Sequence, residues 1–393
     1  MATFVLVGIG GLVTSHGVGM AVPDWPNTYG YNMFFFPISQ WVGGVFYEHS
    51  HRLFASGVGL LTTILALWLY GKSARPLLRW GGLVGAGLGL TSALCFPKHW
   101  ADGVVLGTTG LAALLASFFW PRCEPSTKWL RRLGLLAFFL VVLQGLLGGL
   151  RVVLFKDEIG IFHATLAQLF FVLMCSLAVF TSPRWQNRNL KTESPGPEYA
   201  RGLRPLFVGT TLLILGQLIL GATMRHQHAG LAIPDFPLAY GKLWPAIDPA
   251  SVEQYNRHRI EVLSANSITQ LQILLQMGHR FLAGLILVGV GCCAWTTHRR
   301  QGRGSLLSNL SLSWLALVLI QVLLGAATIW SNKAADIATL HVMIGALLLA
   351  FGAILSMLAY DHRAIESDHN EILIADAAAN LSALDRAHHP LAG

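Results

Sequence analysis

Charged side chains are scarce in this 393-residue chain, where Lys, Arg, Asp and Glu together make up 12% of the residues. Soluble domains carry about a quarter, so a large part of the surface must be solvated by lipid rather than water. Period-two alternation is lacking too, which excludes the strands of a membrane barrel. Cysteine is sparse: Cys95, Cys123, Cys175, Cys292 and Cys293 form no CxxC, and none falls in the two longest loops. Neither a disulfide framework nor a thiolate metal site is expected. A positive n-region and a cleavage signal are also missing. The chain begins directly in an apolar stretch and reads as a first span with almost no leader, or with a start site placed late.

Apolar sequence is what abounds, at 54%. Runs at 53–70, 133–150, 206–222, 281–295 and 343–359 approach the ~20 residues that cross a hydrocarbon core of about 30 Å as a helix. They predict an all-α integral membrane protein of about ten spans: 2–20, 51–71, 79–96, 103–120, 133–151, 163–182, 204–223, 279–297, 311–330 and 340–360. The net charge of +8 does not point to nucleic acid, because the basic residues sit in short loops between spans. Sorted to alternate sides, 17 Lys and Arg fall on one side and 10 on the other. The richer side is expected to be cytoplasmic and to hold both termini.

The chain repeats itself. Gly19-Met20-Ala21-Val22-Pro23-Asp24-Trp25-Pro26 recurs as Gly230-Leu231-Ala232-Ile233-Pro234-Asp235-Phe236-Pro237, each copy followed by Tyr-Gly. His51-Arg52-Leu53-Phe54-Ala55 is echoed by His279-Arg280-Phe281-Leu282-Ala283, Gln144-Gly145 by Gln321-Val322, and His163 by His341. The offsets run 211, 228, 177 and 178. The rise marks a 17-residue insertion in the second long loop, and the fall marks 51 extra residues in the first half, where spans 79–96 and 103–120 lie. Without them each half is a four-helix unit with a long loop after its first helix. The expected organisation is a bundle over 1–183 with an extra hairpin at 79–120, a linker over 184–203, a second bundle over 204–360, and a polar tail over 361–393.

His51, His163, His279 and His341 fall at one end of their spans, one per helix and two per half. A lone interfacial histidine most often caps a helix or bonds a loop carbonyl; four at duplicated positions favour function. Two imidazoles from different helices at matching depth suit axial ligation of a haem. A small-ion site would more often add an acidic or thiol ligand nearby. Gly148, Gly149 and Gly325 beside them would let a flat ring approach the helix backbone. Arg52 and Arg280 follow two of the histidines, placed either to pair with haem propionates or to anchor the interface by snorkelling. His49, His99, His226 and His228 have no matched partner, although His226-Gln227-His228 could touch a metal. The halves differ at Glu48, whose counterpart is Gln276. Glu48 lies one helical turn before His51, either pairing with Arg52 at i, i+4 or serving chemistry that Gln276 cannot.

With Glu48-His49-Ser50-His51-Arg52, the three matching histidines and the Pro-Asp-Trp-Pro segment at 23–26, the chain resembles the haem A synthase family over nearly all of 1–360. The resemblance implies a membrane oxidoreductase that converts the C8 methyl of haem O to a formyl group, giving haem A for terminal oxidases. It implies a substrate haem between His51 and His163 with Glu48 as the essential carboxylate, and a haem b between His279 and His341. A haem O-producing farnesyltransferase and an electron acceptor would be partners, and the bacterial cytoplasmic membrane the location, with the haem sites near its outer face. Two features depart from the family pattern. Residues 16–50 hold no cysteine pair, and the hairpin at 79–120 exceeds eight spans. A di-haem b electron carrier would need the same histidines but not the Glu48/Gln276 contrast. A transporter would predict broken helices with ionisable groups at mid-depth.

Overall fold

The computed structural model describes residues 1–186, 203–258, 267–302 and 304–359. Most of the linker and the whole tail expected from the sequence lie outside them. The described residues form helices α1 (Ala2–Ser15), α2 (Gly43–Leu69), α3 (Ala74–Cys95), α4 (Trp100–Phe119), α5 (Lys128–Leu154), α6 (Asp157–Phe180) and α7 (Leu203–His226). Helices α8 (Gln270–Gln301), α9 (Leu306–Trp330) and α10 (Ala335–Ala359) follow, and short helices lie at Pro183–Gln186 and, in the second long loop, at Pro249–Arg257. Nine of these are long and apolar enough to cross a membrane, and α1 is a shorter apolar helix. The chain is therefore a multi-pass membrane protein. All the described spans run as unbroken helices, unlike the interrupted helices a transporter would predict.

The ends of the helices are set by polar capping outside the apolar runs. The Thr269 hydroxyl accepts from Gln272 N, and the Gln272 side chain accepts from Thr269 N, so α8 starts nine residues before His279. This reciprocal capping box satisfies two orphan donors of the first turn. Ser305 caps α9 with a single bond, accepting from Ser308 N. With 32 residues, α8 is roughly 48 Å long and outreaches a bilayer core.

The first half packs α1, α2, α5 and α6, with Val58, Leu69, Leu130, Ala137, Phe170 and Leu177 buried between them. The second packs α7 to α10 around Phe207, Val290, Trp314 and Leu355. Lipid tails are as apolar as these side chains, so close fit and hydrogen bonds hold the helices together. Trp314 Nε1 donates to Leu348 O at 2.9 Å from the middle of that core. The halves meet where Phe4 and Val7 of α1 and Phe171 of α6 pack on Ala346 and Ala350 of α10.

The extra hairpin is built differently. A Cβ on Gly89 would stand 2.1 Å from Gly107 N, and one on Gly110 would stand 2.3 Å from Ala86 N. Backbone meets backbone, the geometry that small residues at four-residue spacing allow. The hairpin is tied near its ends, through Asn32 to Asp102 at 2.7 Å, Phe35 against Trp100, and Trp68 against Trp120. Gly89→Val is expected to cost about 1–3 kcal/mol by overpacking. An unchanged unfolding temperature in detergent would contradict the backbone contact.

Candidate functional site

The repeated segments that open the two long loops fold alike, and the reason lies in the shared Pro-Asp. In the first, the Asp24 carboxylate accepts from Tyr29 N at 2.8 Å and Gly30 N at 2.7 Å. In the second, Asp235 accepts from Tyr240 N at 2.7 Å and Gly241 N at 2.8 Å. Both tyrosines take left-handed backbone conformations, with φ of 49° and 53°. Their hydroxyls reach back to Ala21 O and Ala232 O. Each loop is thus a tight cap seated on the helix that follows it.

The residues that seat the caps are those expected to serve the haem sites. Glu48 is buried, accepts from Val22 N at 2.9 Å, and pairs with Arg52 at 2.7 Å. Gln276 accepts from Ile233 N at 2.6 Å, the same bond 211 residues on along the loop. Arg52 donates to the carbonyls of Asp24, Asn27 and Val22 at 2.7 to 3.0 Å. Arg280 donates to Leu238 O and Asp235 O at 2.8 and 2.7 Å, with its guanidinium over the Phe236 ring. Both arginines therefore spend their terminal nitrogens on loop carbonyls, and the loop on each half closes through them.

The four histidines sit six to nine residues inside the N-terminal ends of α2, α6, α8 and α10. Each lies against a glycine of the preceding bundle helix. A Cβ on Gly10, Gly148, Gly221 or Gly325 would stand 3.0, 3.3, 3.3 or 3.2 Å from Cε1 of His51, His163, His279 or His341. Gly148 and Gly325 were visible in the sequence as neighbours of the histidines. Gly10 and Gly221 were not singled out, although the loop offset of 211 relates them.

Three of the ligand-candidate carbonyls accept from glutamine side chains. Gln144 donates to His163 O at 3.1 Å, Gln217 to His279 O at 3.0 Å, and Gln321 to His341 O at 2.9 Å. Leu6 stands where the offset of 211 would place the fourth glutamine, packed against the buried core of the first half. These glutamines were missed by sequence reasoning, apart from the matched Gln144 and Gln321, because a glutamine in an apolar helix carries no motif. Gln217→Leu is expected to cost about 1 kcal/mol, read by thermal unfolding; no shift would contradict a working bond.

These residues fit a haem. All four Nδ1 atoms are buried with no hydrogen-bond partner, so the rings meet no polar protein group at that nitrogen. The ring centres of His279 and His341 are 6.5 Å apart. Two imidazoles on opposite faces of one iron stand about 6.4 Å apart, from metal–nitrogen bonds of about 2 Å and nitrogen-to-centre distances of about 1.2 Å. His51 and His163 lie within electrostatic range of each other. Among the described residues no group of three or more His, Cys, Asp and Glu could hold a bare ion, so the donor set is one of paired imidazoles.

The unmatched histidines do other work. His49 is buried beside Phe36 and Trp41 with Nδ1 3.1 Å from Thr28 Oγ1. His226 ends α7 and packs against Gly160, and His228 takes a left-handed conformation after it. His99 pairs with Asp102 on the surface. All five cysteines are free thiols.

Residues 96–352 match the model of the COX15-CtaA family, described as a cytochrome oxidase assembly protein. The chain belongs to this family. Relatives named heme A synthase include one from Geobacillus kaustophilus, 26% identical over 261 residues that cover 65% of this chain and 73% of the relative. One from Symbiobacterium thermophilum is 28% identical over 269 residues, 63% of this chain and 79% of the relative. One from Beijerinckia indica is 31% identical over 242 residues, 59% of this chain and 62% of the relative. The COX15-CtaA match takes in His163, His279 and His341, whereas Glu48 and His51 precede it. For those two the repeat supplies the link, through Gln276 and His279 at equivalent places.

Proposed function

We propose that this chain is a haem A synthase, an oxidoreductase that converts the C8 methyl group of haem O to a formyl group. What supports the reading is four histidines at repeated positions, two per half and each against a glycine, in a chain of the COX15-CtaA family. His51 and His163 hold the substrate haem O, and His279 and His341 hold a resident haem b. The haem b iron, when bound, supplies one-electron redox chemistry. Oxidation of a methyl to a formyl group removes four electrons, so a second site that passes electrons on singly suits the reaction.

The protein's part is to hold and to balance charge. The glycines bring the imidazoles close to neighbouring backbones, and the glutamines fix the carbonyls of three of the four histidine turns. Arg52 and Arg280 belong to the two sites as the side chains that close the loop over each. Glu48 keeps a carboxylate one turn from His51, where its oxygens can receive a proton released as the methyl is oxidised. Gln276 makes the same loop bond without that capacity.

The excess of Lys and Arg on one side supports a bacterial cytoplasmic-membrane orientation with both termini cytoplasmic and both haem sites toward the outer face. A haem O-producing farnesyltransferase and an electron acceptor are the partners this reading requires. Failure of the farnesyltransferase to co-purify in mild detergent would count against the first.

The test is expression in a host that makes haem O but not haem A, followed by extraction and chromatography of the haems. Haem A is the expected product. Haem b alone, with haem O unchanged, would overturn the reading in favour of a di-haem b electron carrier.

A further inference from the structure

The second long loop carries 17 residues that have no counterpart in the first. The short helix Pro249–Arg257 lies among them, started by Asp248, whose carboxylate accepts from Ser251 N at 3.0 Å. Near its end Asn256 clasps the chain that leads into α8, donating to Ile268 O at 3.0 Å and accepting from Ile268 N at 2.7 Å. The helix thereby lays Tyr255 flat on Tyr240, with ring centres 3.6 Å apart and planes 4° from parallel. Tyr240 is the tyrosine of the repeated cap. Its counterpart, Tyr29, has Phe36 beside it instead, at 6.1 Å.

The tyrosine pair walls one side of a cavity of about 550 Å³, within the size range of small-molecule sites. Leu231 and Ile329 line it half-buried, and Lys242 and Asn332 line it as exposed donors. The cavity stands directly over the second histidine pair. Ile329 follows Gly325, which faces His341, by one helical turn, about 6 Å along α9. Leu231 lies two residues before Ile233, whose N–H is held by Gln276, one turn before His279 on α8. The surroundings are apolar and exposed: Leu243 and Trp244 are 87% and 56% exposed beside Lys242, and Trp330 is 62% exposed beside Ile329. Exposed tryptophan at the end of a span belongs at the membrane–water interface. The cavity therefore opens at the level of the lipid headgroups.

We propose that this cavity binds the ring of a quinone, which takes electrons from the second haem site. The proposal rests on the haem A synthase reading and deepens it by giving its electron acceptor a chemical class. A quinone head is a flat ring with carbonyl oxygens at its edge. It would stack against the Tyr255–Tyr240 pair and accept hydrogen bonds from the Lys242 ammonium and the Asn332 amide. A phosphate ligand would ask for several cations, and among the described lining residues Lys242 is the one permanent cation. Each quinone takes up two electrons, delivered singly as ferrous haem b iron returns to ferric. Two protons from the water outside form O–H bonds at both carbonyl oxygens, giving the quinol. The four electrons removed from the methyl group thus reduce two quinones.

The test uses the full-length chain, purified with its haems and placed in lipid nanodiscs. An azido-substituted benzoquinone is photocrosslinked to it, with decylubiquinone as competitor, and the labelled peptides are mapped. Label within residues 229–258 that decylubiquinone displaces is expected. Tyr255→Ala and Lys242→Gln should each weaken decylubiquinone binding by about tenfold, the worth of a lost ring contact or charged hydrogen bond. Tyr255→Phe keeps the ring and should bind as the wild type does. Stopped-flow reoxidation of the dithionite-reduced protein by decylubiquinone should be slowed to a like degree in the first two variants, at unchanged haem content. Label elsewhere, label that decylubiquinone does not displace, or wild-type binding in both variants overturns the site. A chain that purifies without a bis-histidine haem spectrum overturns the haem reading instead, and the photolabel then still reports on the cavity.

Discussion

Glu48→Gln is expected to leave the fold and the second haem in place while lowering haem A formation by about 10²–10⁴-fold, the usual worth of a positioned acid–base group. The fold should survive because the protein already contains the substituted arrangement. Gln276 accepts from Ile233 N as Glu48 does from Val22 N, and Arg280 holds its loop carbonyls beside a neutral amide. Arg52 would keep its three carbonyl acceptors after losing the carboxylate. Breaking a buried ion pair outright costs about 3–5 kcal/mol, but the amide retains a hydrogen-bond acceptor there. Haem extraction and chromatography from the variant, beside its unfolding temperature, separate the two roles. Normal haem A yield would reduce Glu48 to a clasp for the loop.

The second large effect concerns the glycines. Gly325→Val is expected to empty the second site while both its histidines remain, because a Cβ at 3.2 Å from His341 Cε1 already demands movement and the branched methyls demand more. The ring would be pushed out of line with His279, whose centre stands 6.5 Å away. Loss of about half the total haem, with the haem b spectrum gone, is the expected readout. A variant that keeps its full complement of bis-histidine haem would show that the ring has room to turn, and that the glycine is incidental.

Much of the fold was legible because membrane spans and repeats are written in composition and spacing. The nine long helices correspond to expected spans, and the four histidines fall where the offsets put them. The helix ends were not legible. α2 begins at Gly43 rather than 51 and α8 at Gln270 rather than 279, since hydropathy falls where a helix leaves the lipid even though its hydrogen bonds continue. The first helix ends at Ser15, short of the expected 20, because the next residues turn into the loop. The Arg52 and Arg280 contacts could not be read from sequence either, as they depend on the direction of backbone carbonyls that Asp24 and Asp235 organise. The Glu48/Gln276 contrast was legible, but not that both residues make the same loop bond.

The central claim is that each half holds its own haem, with the first half's the substrate and the second half's the resident cofactor. Haem composition of the purified full-length chain, compared with His163→Ala and His341→Ala, tests it most directly. The wild type should yield haem b together with haem O or haem A, His163→Ala should retain haem b alone, and His341→Ala should lose haem b. Loss of the same haem in both variants, or a wild type containing only haem b, would contradict it.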